Sequence, residues 1–183
     1  MSTSGQAASL APTPVRVPLV VVGCGNPAQG DDAVGIEVVR RLQLECQDSR
    51  CGFYTLNHTG VELLDMLESA QVLLVIDAIS TGAPAGSLHL IPFPSTGIPR
   101  RAVPPVSGHE WDPFSVLELA GALGRRLPQV ILLGIEIDTA RAGSTLSEPV
   151  ARAAQTVVVL FPSLIARLVD NPTPVSPSEP ALP

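Results

Sequence analysis

VPLVVVGCGNPAQGDDAVG, residues 17–35, is the stretch that decides the fold. Its apolar run ends in glycine, which predicts a buried strand, and the residues after the run open a helix. The apolar stripe of that helix is Val34, Val38 and Leu42. Two adjacent acids, Asp31 and Asp32, are predicted to lie in the first turn of this helix, directly after the glycine turn, where a nucleotide-binding loop would hold a phosphate. The stretch therefore predicts a strand–helix unit with paired negative charge at its turn.

The alternation of strand and helix continues along the chain. Further strands are predicted at 51–57, 71–79, 87–93 and 129–137, and helices at 59–69, from Asp112-Pro113 onward and at about 148–169. This order predicts an α/β fold, a three-layer α/β/α sandwich with a mostly parallel central sheet. We expect a single domain over 16–170, between a disordered tail at 1–15 and a disordered Pro-rich tail at 171–183.

Composition narrows the class of protein. Of the 183 residues, 45% are hydrophobic and only 3% are aromatic, which predicts a compact core of Val, Leu, Ile and Ala. A net charge of −6 makes a nucleic-acid partner unexpected. The three cysteines, Cys24, Cys46 and Cys51, contain no CxxC pair, so neither a disulfide framework nor a thiolate zinc site is expected. The sequence shows no apolar run of about 20 residues and no secretory signal, which predicts a cytoplasmic protein without a membrane span.

Polar side chains follow the ends of the predicted strands. In open α/β sheets, ligands bind beyond the carboxyl ends of the strands. The residues placed there are Asn26, Asp31, Asp32, Asp77, His109, Glu136, Asp138 and Thr139. A set of carboxylates with one imidazole suits a divalent transition metal.

The same glycine turn allows a second interpretation, a dinucleotide site. Gly23-x-Gly25-x-x-Ala28 matches the G-x-G-x-x-G/A pattern between a strand and a helix. Pro27 removes a backbone N–H that could face phosphate, and the two acids that follow would repel a pyrophosphate. We therefore favour the metal interpretation, and keep a dinucleotide-dependent oxidoreductase as an alternative.

Several of these residues also have purely structural interpretations. Asp31 is expected to cap or support the turn even if Asp32 binds metal. Asn26 is expected to hold the turn by bonding to backbone. No role is predicted for His89, and Cys46 and Cys51 are expected to be structural thiols.

Five ordered segments resemble one family. They are GCGNPAQGDDAVG (23–35), HTGVELLDML (58–67), VLLVIDAI (72–79), VSGHEWDPFSVLELA (106–120), and GIEID with GSTLSEPV (134–150). Together they resemble the hydrogenase maturation endopeptidases over residues 17 to 168. That resemblance implies removal of the C-terminal extension of the large subunit of a nickel–iron hydrogenase, after nickel insertion.

The resemblance also implies which residues carry the chemistry. The family's three metal-contacting positions fall on Asp32, Asp77 and His109, and these are also the predicted catalytic residues. The first is often Glu in relatives, so this chain has the shorter side chain at that position. Nickel is expected to be sensed in the precursor, and no nucleotide is needed.

The predicted function is therefore an endopeptidase of hydrogenase maturation, with the large-subunit precursor as its protein partner and a monomer as its expected state. Hydrolysis is expected to use a metal-polarised or carboxylate-activated water, since no Ser-His-Asp order or HExxH is present and no base is placed beside Cys24. A nickel-binding assembly factor without protease activity is the other alternative.

Overall fold

The computed structural model describes residues 16–57, 62–94, 113–138, 143 and 145–170. In chain order, the elements are β1 (Val17–Cys24), a 3-10 turn (Gly30–Ala33), α1 (Val34–Glu45), β2 (Cys51–Leu56), α2 (Glu62–Ser69), β3 (Ala70–Ile79), β4 (Leu88–Phe93), α3 (Pro113–Ala122), β5 (Gln129–Glu136), α4 (Glu148–Ile165) and a π-helical turn (Ala166–Asp170).

One sheet of five strands, in the order β2-β1-β3-β5-β4, forms the middle layer. The pairs of β1 with β2, β1 with β3, and β3 with β5 are parallel, while the edge strand β4 runs antiparallel to β5. The predicted α/β sandwich with a mostly parallel sheet is confirmed. β4 can run antiparallel because a short loop, without a crossover helix, joins it to β3.

The aliphatic side chains of the sheet point alternately to two cores. One core lies between the sheet and helices α1 and α4, and it contains the predicted stripe of Val34, Val38 and Leu42. The other lies between the sheet and helices α2 and α3. Because helices cover both faces of the sheet, the side chains of the central strands are apolar on both faces. This explains why these strands appear in the sequence as continuous aliphatic runs.

The turn that carries the two acids differs in detail from its prediction. The sequence predicts that the acids lie in the first turn of an α-helix, whereas Asp31 and Asp32 lie in the 3-10 turn and α1 begins at Val34. A local hydrogen bond accounts for the 3-10 conformation. The backbone N–H of Asp32 bonds to the carbonyl of Gln29, three residues earlier, which is the spacing of a 3-10 helix.

Some predictions fall outside the described residues. They concern the tails at 1–15 and 171–183, the start of the helix predicted at 59–69, Thr139, and His109. These remain predictions from the sequence.

The last helix satisfies the length and hydropathy criteria for a membrane span, contrary to the sequence expectation that no stretch would. Residues Glu148–Asp170 have a mean hydropathy of 1.5, and 44% of that window is buried. Its fully or nearly fully buried side chains, including Val150, Ala154, Val157 and Phe161, belong to the core shared with α1. The apolar character of this helix is therefore explained by packing against the sheet.

Candidate functional site

The site predicted from strand ends lies where the chain changes direction across the sheet. From β1 the chain passes through α1 to β2 on one side, and from β3 it continues to β4 and β5 on the other. The carboxyl ends of β1 and β3 therefore border a topological switch point, the usual ligand crevice of open α/β sheets. Asp32 follows β1, Asp77 lies near the end of β3, and the 3-10 turn contacts β3.

Three glycines allow the start of α1 to approach these strand ends. A Cβ atom on Gly35 would lie 2.2 Å from the carbonyl oxygen of Ile76 and 2.5 Å from that of Cys24. On Gly25, whose φ is +138°, a Cβ would lie 1.9 Å from the carbonyl oxygen of Asp32. A Cβ on Gly23 would lie 2.2 Å from the carbonyl oxygen of Gly35. The glycine spacing therefore serves backbone packing, which brings the acidic turn against β3.

The two acids of the turn have different contacts. Asp31 is 9% exposed, and its carboxylate accepts a 2.5 Å hydrogen bond from the backbone N–H of Ser147, the residue that precedes α4. Asp31 therefore joins the turn to the start of α4, which is the supporting role predicted for it, but it does not cap its own helix, since α1 has Ala33 as its N-cap residue and no side-chain cap bond. Asp32 is half-buried, and its Oδ2 accepts the backbone N–H of Asn26 at 2.9 Å.

Asp77 is half-buried on β3, beside Gly134 of β5. Its Oδ1 accepts the backbone N–H of Ala78 at 2.9 Å. By strand alternation its side chain shares a face with Val75, which belongs to the core under α2 and α3. Asp32 and Asp77 thus stand at one edge of the sheet, and both keep some exposure to solvent.

Several backbone donors of the turn already bond to other groups of the protein. The N–H of Asn26 bonds to Asp32, the N–H of Ala28 bonds to the side chain of Asn26 at 3.0 Å, and the N–H of Gly30 bonds to the carbonyl of Gly143 at 2.6 Å. Asn26 therefore holds the turn, as predicted. A pyrophosphate site needs such N–H groups to face the ligand, so this pattern argues against the dinucleotide interpretation.

Glu136, another carboxylate at this edge, is structural, and the sequence did not identify its role. Glu136 is fully buried, and its Oε1 accepts the backbone N–H groups of Thr81, Gly82 and Ala83 at 2.6, 2.8 and 3.2 Å. Its Oε2 accepts the Thr81 hydroxyl at 3.0 Å and lies 3.4 Å from Nε2 of His89, for which no role was predicted. Glu136 therefore holds the loop between β3 and β4, which begins directly after the strand that carries Asp77.

Glu136→Gln is expected to lower the free energy of unfolding by about 1–2 kcal/mol, because bonds from three N–H groups to a charged oxygen become bonds to a neutral amide. Urea denaturation of both proteins measures the difference. The matched control is Glu148→Gln, since Glu148 is 82% exposed at its side chain and its ion pair is with exposed Arg152, so little change is expected. Equal stability of wild type and Glu136→Gln would contradict this role.

The third predicted ligand, His109, lies outside the described residues. Within the part of the chain that the structure describes, no three His, Cys, Asp or Glu side chains are arranged to hold a metal ion. The described residues thus include Asp32 and Asp77 at the carboxyl-end edge of the sheet. The third ligand, His109, remains a prediction from the sequence. Asp138 is exposed just after β5, outside any described contact with either acid.

Comparison with known sequences gives one family. The model of the family described as "Hydrogenase maturation protease" matches residues 36–161. "Hydrogenase expression/formation protein HupD" of Thiocapsa roseopersicina is 28% identical over 120 residues, which cover 64% of this chain and 53% of that protein. The chain thus spans about half the length of this relative. "Hydrogenase expression/formation protein HoxM" of Cupriavidus necator is 27% identical over 159 residues, which cover 85% of this chain and 78% of that protein.

The fold has close counterparts among solved structures. The hydrogenase maturating endopeptidase HybD from Escherichia coli superposes with a TM-score of 0.62 at 20% identity, over 81% of this chain and 91% of that one. At 20% identity the similarity shows a shared fold, that is, the same arrangement of the sheet and its helices.

Proposed function

Since this chain belongs to the hydrogenase maturation protease family, we propose that it is an endopeptidase that removes the C-terminal extension of a nickel–iron hydrogenase large-subunit precursor after nickel insertion. The observation that supports the proposal is the packing of the acidic turn and the start of α1 against β3, so that Asp32 and Asp77 both lie at the carboxyl end of the parallel strands, where ligands bind in open α/β sheets.

Three residues form the proposed metal-contacting and catalytic set, namely Asp32, Asp77 and His109. The nickel belongs to the substrate, and two carboxylates with one imidazole are donors that a divalent transition metal accepts. Three protein ligands leave coordination positions for groups of the precursor or for water. A precursor that carries nickel then gains binding energy that an empty precursor lacks, so the site acts as a checkpoint on metal insertion.

The hydrolytic step needs a water at the scissile peptide bond. We assign its activation to a carboxylate of the same set, which accepts the proton while the water oxygen bonds to the carbonyl carbon. The peptide C–N bond then breaks, and the proton passes to the leaving amine. Asp32 and Asp77 are suited to this because both are half-buried, so they remain reachable by water at the crevice.

We expect the protein to act in the cytoplasm, as a monomer, without a nucleotide or nucleic-acid partner. The net charge of −6 supports the expectation that no nucleic acid binds. The backbone N–H groups of the glycine turn that already bond to other protein groups support the expectation that no nucleotide binds.

The proposal is tested with purified protein, a nickel-loaded precursor and a nickel-free precursor, read by the mass of the large subunit. A mass decrease only with the nickel-loaded precursor is the expected result. Nickel binding with no change in mass would favour a non-proteolytic assembly factor and overturn the protease. Tight binding of a dinucleotide, with neither precursor cleaved, would favour an oxidoreductase instead.

A further inference from the structure

Two loops meet beyond the carboxyl ends of the parallel strands. The turn after β1 and the segment between β5 and α4 pair through an isolated parallel bridge of Gln29 with Gly143. The N–H of Gly30 bonds to the carbonyl of Gly143 at 2.6 Å, and the N–H of Gly143 bonds to the carbonyl of Ala28 at 3.1 Å. Since β1 and β5 lie on either side of β3, the bridge joins the two loops that flank the strand carrying Asp77.

Asp31 adds a side-chain bond to this bridge. Its Oδ1 accepts the backbone N–H of Ser147 at 2.5 Å, and Ser147 is the residue directly before α4. Asp31 is only 9% exposed, and hydrogen bonds from N–H groups to a carboxylate are stronger than those between neutral groups. Asp31 therefore fixes the acidic turn to the start of a helix that packs in the core.

The next residue, Asp32, depends on the position of this turn. Asp32 is half-buried, and its Oδ2 accepts the N–H of Asn26 within the turn itself. A turn that loses its bond to Ser147 keeps the bridge, but it can shift at Asp32, which lies beyond the bridged residues. Catalytic and metal-binding groups must be held within about 0.5 Å of their productive positions, so a small shift is enough to impair the site.

We propose that Asp31 is a positioning residue of the proposed active site. It holds the carboxylate of Asp32 in place through the N–H of Ser147 and does not itself contact the metal or the substrate. This inference rests on the proposed function, and it gives the segment between β5 and α4 a part in the reaction. A direct role, as a second negative charge at the metal, is the alternative. The positioning role needs only an acceptor oxygen at residue 31, whereas the direct role needs its charge.

Four single variants separate these roles. Asp31→Ala removes the acceptor, and Asp31→Asn removes the charge but keeps an oxygen that can accept the bond. Ser147→Pro removes the donor from the other side, and proline fits there because φ of Ser147 is −64°. Ser147→Ala is the matched control, since it keeps the backbone N–H and the serine side chain makes no cap bond.

Two quantities are measured on variants whose denaturation curves show folded protein. Cleavage of nickel-loaded precursor in excess gives kcat, and titration with Ni²⁺ alone gives the affinity of the protein for the metal. Both should fall about ten-fold in Asp31→Ala and in Ser147→Pro, and stay within about three-fold of wild type in Asp31→Asn and Ser147→Ala. The variant that carries both Asp31→Ala and Ser147→Pro should lose no more than the worse single variant, because both changes remove one contact.

Two results would overturn this inference. Equal losses in Asp31→Asn and Asp31→Ala would show that the charge of Asp31 acts directly. Wild-type kcat and Ni²⁺ affinity in Asp31→Ala and Ser147→Pro, even with a lower denaturation midpoint, would show that the bond serves stability alone. Failure of the wild-type protein to cleave nickel-loaded precursor would instead overturn the proposed function, and the Ni²⁺ titrations would still decide the role of Asp31.

Discussion

Asp77→Asn is expected to lower the rate of precursor cleavage at least about 100-fold, because both proposed roles of Asp77, as a negatively charged metal ligand and as a proton acceptor, are lost in the amide. The amide keeps the shape of the side chain and an oxygen that can accept the Ala78 N–H, so folding should be preserved. The rate is measured with nickel-loaded precursor in excess, from the mass of the large subunit over time. Asp32→Asn should behave in the same way.

The matched control is Asp65→Asn, which changes an exposed acid on α2. It removes the same charge from the protein and should leave the cleavage rate within about two-fold of wild type, since exposed charges act weakly over distance. An Asp77→Asn protein that cleaves at the wild-type rate, with the fold confirmed by its denaturation curve, would remove Asp77 from the mechanism.

Gly35→Ala is expected to lower the free energy of unfolding by about 3 kcal/mol or more, since its Cβ would lie 2.2 Å from the Ile76 oxygen and 2.5 Å from the Cys24 oxygen. Both atoms belong to the backbone of central strands, which cannot move aside as a side chain can. The start of α1 must then lift away from β1 and β3, carrying the acidic turn with it. Urea denaturation measures the stability, and the same protein should also cleave poorly.

Gly121→Ala provides the control for the same substitution. Gly121 lies in α3, and a Cβ there would meet nothing within 4 Å. The change should be neutral or stabilising by up to about 1 kcal/mol, since alanine favours a helix more than glycine does. Similar stabilities for Gly35→Ala and Gly121→Ala would show that close backbone packing does not shape the turn.

The sequence predicted the layers of the fold because their signals are local. Continuous aliphatic runs marked the buried strands, and the stripe of Val34, Val38 and Leu42 marked the buried side of α1. The antiparallel direction of β4 was not predictable in this way, because it depends on pairing with β5, which no local pattern encodes.

The candidate site was predictable only in part. The placement of Asp32 and Asp77 at one edge followed from the rule for strand ends. The role of Glu136 could not follow, because its partners Thr81 and Gly82 lie 55 and 54 residues away along the chain. The contact of His89 with Glu136 was missed for the same reason, since it depends on the register between β4 and β5.

The proposed site requires the side chains of Asp32, Asp77 and His109 to meet around one metal at the crevice between β1 and β3. Crystals soaked in a nickel salt, with diffraction recorded at the nickel absorption edge, test this most directly through the anomalous difference map. We expect one dominant peak in contact with the carboxylates of Asp32 and Asp77 and with the imidazole of His109. A dominant peak elsewhere, or one that leaves Asp32 or Asp77 out of contact, would contradict it.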